Sequence, residues 1–160
     1  MMKIEAALAF EANGPLSLHQ VDLAEPGPGD ILVRVVATGL CHTDLTVLAN
    51  PQLPWPAIFG HEGAGVVEKV GPGVTKVAAG DHVVMTAASC GKCPKCMTGN
   101  PSYCVNFRAM NMSGGRKPDG SCTHQHDGKP VFARFLGQSS FASHVLTGER
   151  SVVKVDADLP

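Results

Sequence analysis

Four cysteines fall at Cys90, Cys93, Cys96 and Cys104, in the spacing C-x2-C-x2-C-x7-C. Three thiolates one tight turn apart, with a fourth returning to them, suit a four-coordinate zinc with every position closed. Such a site is structural: it supplies folding energy and leaves no place for substrate. The alternatives are an iron–sulfur cluster, whose common bacterial and plant-type runs have a different last spacing, and four unrelated buried thiols. Six cysteines could also form three disulfides, but their crowding reads as a metal clip, and in a reducing compartment the thiols stay free for metal. Gly91, Pro94, Gly99, Asn100 and Pro101 keep this lobe, residues 89–105, out of long regular structure.

The rest of the chain must fold around that clip. Its 18 glycines and 12 prolines, with aromatics at only 5%, favour short strands joined by turns, so a mainly β fold is expected. The 160 residues suffice for one packed domain and are short for two. A formal net charge of -1 gives no reason to expect nucleic acid or an anionic membrane as partner, so the ligand should be small. The first apolar run, residues 6–10, is too short to span a membrane, and Glu5 and Glu11 bracket it and spoil a secretory signal. A cytoplasmic location is expected.

Residues 3–10 and 16–23 read as a hairpin about Asn13-Gly14-Pro15, and Pro26-Gly27-Pro28-Gly29-Asp30 as a second turn. Residues 31–37 form a β-branched strand that delivers Cys41 at its end. A short helix over 43–48, with Thr43 or Asp44 near its cap, stops at Asn50-Pro51. The proline-rich 51–56 is an extended connection. Strands are expected over 58–70, interrupted by glycines and turned by Gly71-Pro72-Gly73, over 81–86, and over 141–146 and 151–155. The polar, glycine-rich 111–129 reads as a long surface loop. Its Cys122-Thr123-His124-Gln125-His126 cluster is expected to be solvated rather than metal-binding; His82 and His144 read as structural, and Asp81 as a cap on backbone amides.

Two further stretches carry chemistry. Gly60-His61-Glu62-Gly63-Ala64-Gly65 sets an imidazole and a carboxylate among glycines, which let backbone approach closely. Upstream lies Cys41-His42-Thr43-Asp44, in the relation Cys41-x19-His61. A catalytic zinc takes three protein ligands and keeps one open position, and Cys41 and His61 would be two of the three. Asp44 is the candidate acceptor that fixes the tautomer and orientation of the ligand histidine. Taken singly, Cys41 could be a buried small hydrophobe and His61 a hydrogen-bonded core residue.

Together, Gly60-His61-Glu62-Gly63-Ala64-Gly65-Val66-Val67, the Cys41-His42-Thr43-Asp44 element, the four-cysteine lobe and Phe135-Leu136-Gly137-Gln138-Ser139-Ser140-Phe141 resemble zinc-dependent medium-chain alcohol dehydrogenases. His42 and Gly137-Gln138-Ser139-Ser140 look most like the branch acting on aryl and allylic alcohols such as benzyl alcohol. The resemblance covers nearly the whole chain. It implies a GroES-like partly open β-barrel with short helices and the zinc-binding lobe, spanning residues 1–160 as a catalytic domain that a Rossmann domain binding NAD normally follows. By the same resemblance Cys41 and His61 ligate catalytic zinc, Glu62 sits close behind the metal, and Thr43 shares a hydrogen bond with the alcohol oxygen and starts the proton relay. His42 faces the coenzyme pyrophosphate, Phe135 and Leu136 line the substrate pocket, and Cys90, Cys93, Cys96 and Cys104 hold the structural zinc.

Three departures accompany it. The family's third catalytic ligand, usually a cysteine, is expected past Pro160. No Gly-x-Gly-x-x-Gly opens a βαβ unit, so the coenzyme domain is expected outside these residues. Thr46 stands where known relatives carry the histidine that ends the relay. The expected function is oxidation of a primary aryl or allylic alcohol to the aldehyde with NAD, in a homo-oligomer, with these residues inactive alone. The rival is a non-enzymatic zinc-binding assembly or interaction module, which composition and fold alone do not separate from the enzyme.

Overall fold

A computed structural model describes residues 1–115 and 121–159. Its ten strands are β1 Met2–Ala9, β2 Ser17–Leu23, β3 Asp30–Gly39, β4 Ala57–Ile58, β5 Glu62–Val70, β6 His82–Met85, β7 His124–His126, β8 Lys129–Pro130, β9 His144–Gly148 and β10 Val152–Lys154. Three short helices accompany them: α1 His42–Leu48, α2 Pro94–Met97 and α3 Phe107–Asn111. The strands make two sheets, ordered β4-β1-β2-β7-β8 and β10-β6-β5-β3-β9. The fold is the mainly β, partly open barrel expected.

The alternating burial of β1, with Ile4, Ala6 and Leu8 inward and Lys3 and Glu5 outward, is what a strand with one covered face requires. Its hairpin with β2 pairs Met2 with Leu23 through to Leu8 with Ser17. In β3 the run Ile31, Leu32 and Val33 is buried on both faces. Leu32 joins Ile4, Leu8, Val21, Leu23, Ile58 and Leu146 in one core. Ile31 and Val33 join Val67, Val83, Val145 and Val152 in a second. Truncating one of these side chains, such as Leu146→Ala, costs about 2–5 kcal/mol.

The sheets meet through the segment ahead of β9. The Ala7 N–H donates to Phe141 O (2.8 Å), Ser143 N–H to Glu5 O (2.8 Å) and Val35 N–H to Ser143 O (2.9 Å). One length of chain thus pairs first with β1 and then with β3, curling the sheets into a barrel wall. The strand expected over 141–146 therefore starts late: residues 141–143 form the corner, and regular pairing runs over His144–Gly148.

The strand expected over 58–70 is interrupted by glycine as read: at Gly60 a φ of 89° leaves the extended region, and β5 begins at Glu62. Three expectations need correction. Helix α1 begins at His42, one residue before the expected start: the Cys41 sulfur accepts the Thr43 N–H (3.5 Å), while Asp44, expected near the cap, accepts the Cys41 N–H (3.0 Å). The loop expected over 111–129 contains β7 and runs into its hairpin with β8; residues 116–120 lie outside the described residues. Within it His124 is 1% exposed rather than solvated, its Nδ1 bonded to the Thr123 hydroxyl (2.9 Å). Burial, and then the charge of Arg134, pull its pKa down to about 3.

The structural readings of Asp81 and His144 hold. Asp81 accepts the Ala78 N–H (2.9 Å), and His144 bridges Ser143 and Glu68.

Candidate functional site

Strand β3 ends at Gly39, and two residues later Cys41 opens α1. The helix needs partners for its first amide groups. Asp44 supplies one by reaching back to the Cys41 N–H (Oδ2, 3.0 Å). Its other oxygen accepts the Gly60 N–H (2.9 Å) and faces His61 Nδ1 (3.1 Å). Asp44 is 2% exposed, so one buried carboxylate ties the helix start to the loop that carries His61. An ionised carboxylate only accepts, so Nδ1 carries the ring proton and Nε2 presents its lone pair. This is the arrangement by which a carboxylate orients a metal-ligating imidazole.

Two neighbours fix the rest. The Phe135 ring meets the His61 ring edge-on, with centroids 5.5 Å apart and an interplanar angle of 86°. Gly39 leaves the space that the Glu62 carboxylate occupies: a Cβ there would come within 2.2 Å of Glu62 Oε2. The outcome is that ligand atoms of Cys41, His61 and Glu62, from separate parts of the chain, lie within 4.8 Å of one another. A soft thiolate, an imidazole and a carboxylate so placed are a fitting donor set for zinc.

The Thr43 hydroxyl stands 3.4 Å from Cys41 Sγ on the exposed side of the helix. His42 is exposed beside it. Thr46, where a relay histidine was sought, donates its hydroxyl to His42 O (3.1 Å). Phe135 is fully buried, whereas Leu136 is partly exposed and packs on the same apolar cluster with Val47, Leu48 and Trp55.

The four lobe cysteines form a second group, their sulfurs again within 4.8 Å of one another. Backbone N–H groups converge on them. Those of Lys92 and then Cys93 hold the Cys90 thiol down to about 6 against the effect of burial, and those of Cys96 and Val105 lower Cys93. Burial, aided by Cys93, pushes Cys96 up to about 11. Asn111, fully buried, fastens α3 to the chain entering the lobe: its Oδ1 accepts the Ala88 N–H (2.8 Å) and its Nδ2 donates to Ala88 O and Phe107 O. The lobe is a cysteine cluster that could bind a structural zinc.

Sequence reading missed the residues that hold the His61 loop from its other side. Ser140 N–H donates to Gly60 O (2.9 Å) and Phe141 N–H to Phe59 O (3.0 Å), while the Ser140 and Thr38 hydroxyls pair at 2.7 Å. These contacts join positions about eighty residues or more apart, and no local pattern signals them.

The chain matches the alcohol dehydrogenase GroES-like domain over residues 27–157 and belongs to that family. Among solved structures it is similar to an alcohol dehydrogenase zinc-binding domain protein from Burkholderia ambifaria (45% identity, TM-score 0.95, covering 99% of this chain and 43% of that one). It is also similar to benzyl alcohol dehydrogenase from Acinetobacter calcoaceticus (40% identity, TM-score 0.90, covering 100% and 43%). Among curated proteins, geraniol dehydrogenase from Castellaniella defragrans is 39% identical over 156 residues, 98% of this chain and 42% of the relative. The chain thus spans less than half the length of the relatives it matches. Among the described residues no helix is long and apolar enough to cross a membrane.

Proposed function

We propose that this chain is the catalytic-domain portion of an NAD-dependent zinc alcohol dehydrogenase that oxidises a primary aryl or allylic alcohol to the aldehyde. The convergence of Cys41, His61 and Glu62 within 4.8 Å, backed by Asp44, carries the reading. When bound, zinc supplies a Lewis acid that lowers the pKa of the alcohol, and NAD accepts the hydride. Cys41 and His61 hold the metal, Asp44 keeps the imidazole turned toward it, and Glu62 stands behind.

The Thr43 hydroxyl accepts the alcohol proton as it releases its own to solvent on the exposed side of α1, and His42 faces the coenzyme pyrophosphate. Leu136, partly exposed and backed by the buried Phe135, forms the apolar wall against which the substrate lies. Relatives named for benzyl alcohol and geraniol support the aryl or allylic class. In the lobe, Cys90, Cys93, Cys96 and Cys104 hold a second, structural zinc. An assembly module has no use for a thiolate, an imidazole and a carboxylate aimed at one point.

Coenzyme is held mostly by residues outside these 160, so they turn over no alcohol alone. A metal count with a coenzyme titration tests this: one tight zinc, weaker metal at Cys41 and His61, and no measurable NAD affinity are expected. Tight NAD binding by these residues overturns it. The exposed apolar side chains Leu18, Val36 and Leu40 further support a homo-oligomeric enzyme.

A further inference from the structure

We propose that Gln138 is a positioning residue for the Cys41/His61 centre; the inference rests on the metal reading above. Strand β5 is paired by β3 as far as Glu62, but on its other side β6 pairs only Ala64, Gly65 and Val66. The edge at His61 and Gly63 is left without a strand there. The carboxamide of Gln138 takes its place: Nε2 donates to His61 O (2.8 Å) and Oε1 accepts the Gly63 N–H (3.0 Å). A carbonyl and an amide two residues apart face the same edge of a strand, so one carboxamide reproduces the two bonds a neighbouring peptide would make.

Residue chemistry and packing both favour glutamine here. Gln138 is fully buried, where an unmet polar atom is costly. A glutamate would turn a second acceptor toward the His61 carbonyl. Gly63 admits the amide, since a Cβ at that position would lie 3.0 Å from Oε1 and closer still to Met85. The segment is bent to aim the side chain: Leu136, Gly137 and Ser139 all have left-handed φ, at 47°, 82° and 67°. It is pinned by Ser139 Oγ, which accepts the Phe135 N–H and donates to Ile58 O, and by Thr147 Oγ1, which donates to Gly137 O.

The peptides on both sides of Glu62 are therefore fixed by one side chain, and with them the directions of the imidazole and the carboxylate. Asp44 sets the ring from the helix side, and Gln138 sets its backbone from the barrel side.

The test loads zinc into the lobe, titrates Co(II) into the remaining site and reads the sulfur-to-cobalt and ligand-field absorbance, with Cys41→Ser assigning the bands. Gln138→Met should weaken Co(II) binding ~10–100-fold and change the ligand-field spectrum. Val21→Ala, which opens the barrel core on β2 and lies outside the 135–140 segment, should lower the melting temperature yet leave both readouts unchanged. If Gln138→Met does not fold, Gln138→Glu keeps the shape and removes only the donor to His61, and it should weaken binding in the same direction. Unaltered affinity and spectrum in the folded variant, or an equal change in Val21→Ala, overturns the positioning role alone. Absence of any Cys41-dependent band in the wild-type chain overturns the metal reading and this inference with it.

Discussion

The cysteine lobe and the Cys41/His61 centre bring similar donors together in opposite ways. In the lobe, all four sulfurs come from one short stretch, and neighbouring backbone amides stabilise the thiolates of Cys90 and Cys93. In the other centre, the donors come from the end of β3 and the start of β5, and Asp44 holds helix and loop in register. A local site can order its own polypeptide when metal arrives, whereas a dispersed site must be ordered by the barrel first. The lobe should therefore be a determinant of stability, and the dispersed centre a passenger on the fold.

The largest expected effect tests that division. Cys93→Ser should abolish tight zinc in the lobe and lower the melting temperature by on the order of 10 °C. Cys41→Ser should leave the melting temperature nearly unchanged. Calorimetry with a zinc count checks both, and equal falls would erase the distinction. Next, Thr43→Ala in the complete enzyme should cut turnover by roughly 100-fold or more at unchanged zinc content, because its hydroxyl lies beside the Cys41 sulfur without being needed to hold metal. Parallel loss of zinc and turnover would remove the relay role.

Asp44→Asn probes what orders the dispersed centre. The amide loses the negative charge facing His61 Nδ1 while keeping the side chain's size. Metal affinity at Cys41 and His61 should fall ~10–100-fold, with lobe zinc retained. Competition with a chromophoric chelator separates the two sites. A fall at both would mean that the lobe depends on α1 as well.

The same contrast explains what was legible in the sequence. The lobe was readable because its spacing is its geometry. Cys41 and His61 were readable as a pair through their residue types and the resemblance, and β1, β2 and β3 through alternation and turn residues. The start of α1 was misplaced because a sulfur serves there in place of the usual oxygen cap. Gln138 stood in the segment that carries the resemblance, but its role left no signal, since it depends on where β6 stops pairing with β5, a tertiary fact. His124 was misread because a polar run concealed one inward-facing position beside the buried Thr123, Val131 and Ala133.

His124 also supplies the smallest effect, which sharpens the comparison by separating metal from fold. Acid releases metal from both centres, because their ligands must be deprotonated to bind. His124 belongs to neither. Its folded pKa of about 3 lies below the ordinary histidine value of 6.5, so the folded state keeps the ring neutral while the unfolded chain takes up a proton as pH falls below 6.5. Its contribution to stability is complete above 6.5 and declines as pH drops, levelling off near 3. The slope in that window is about 1.4 kcal/mol per pH unit. Urea unfolding of wild type and His124→Asn at pH 7.5 and pH 5 should show the variant, though less stable at neutrality, losing about 2 kcal/mol less on acidification. If the two losses match, His124 contributes nothing to the acid sensitivity of the barrel.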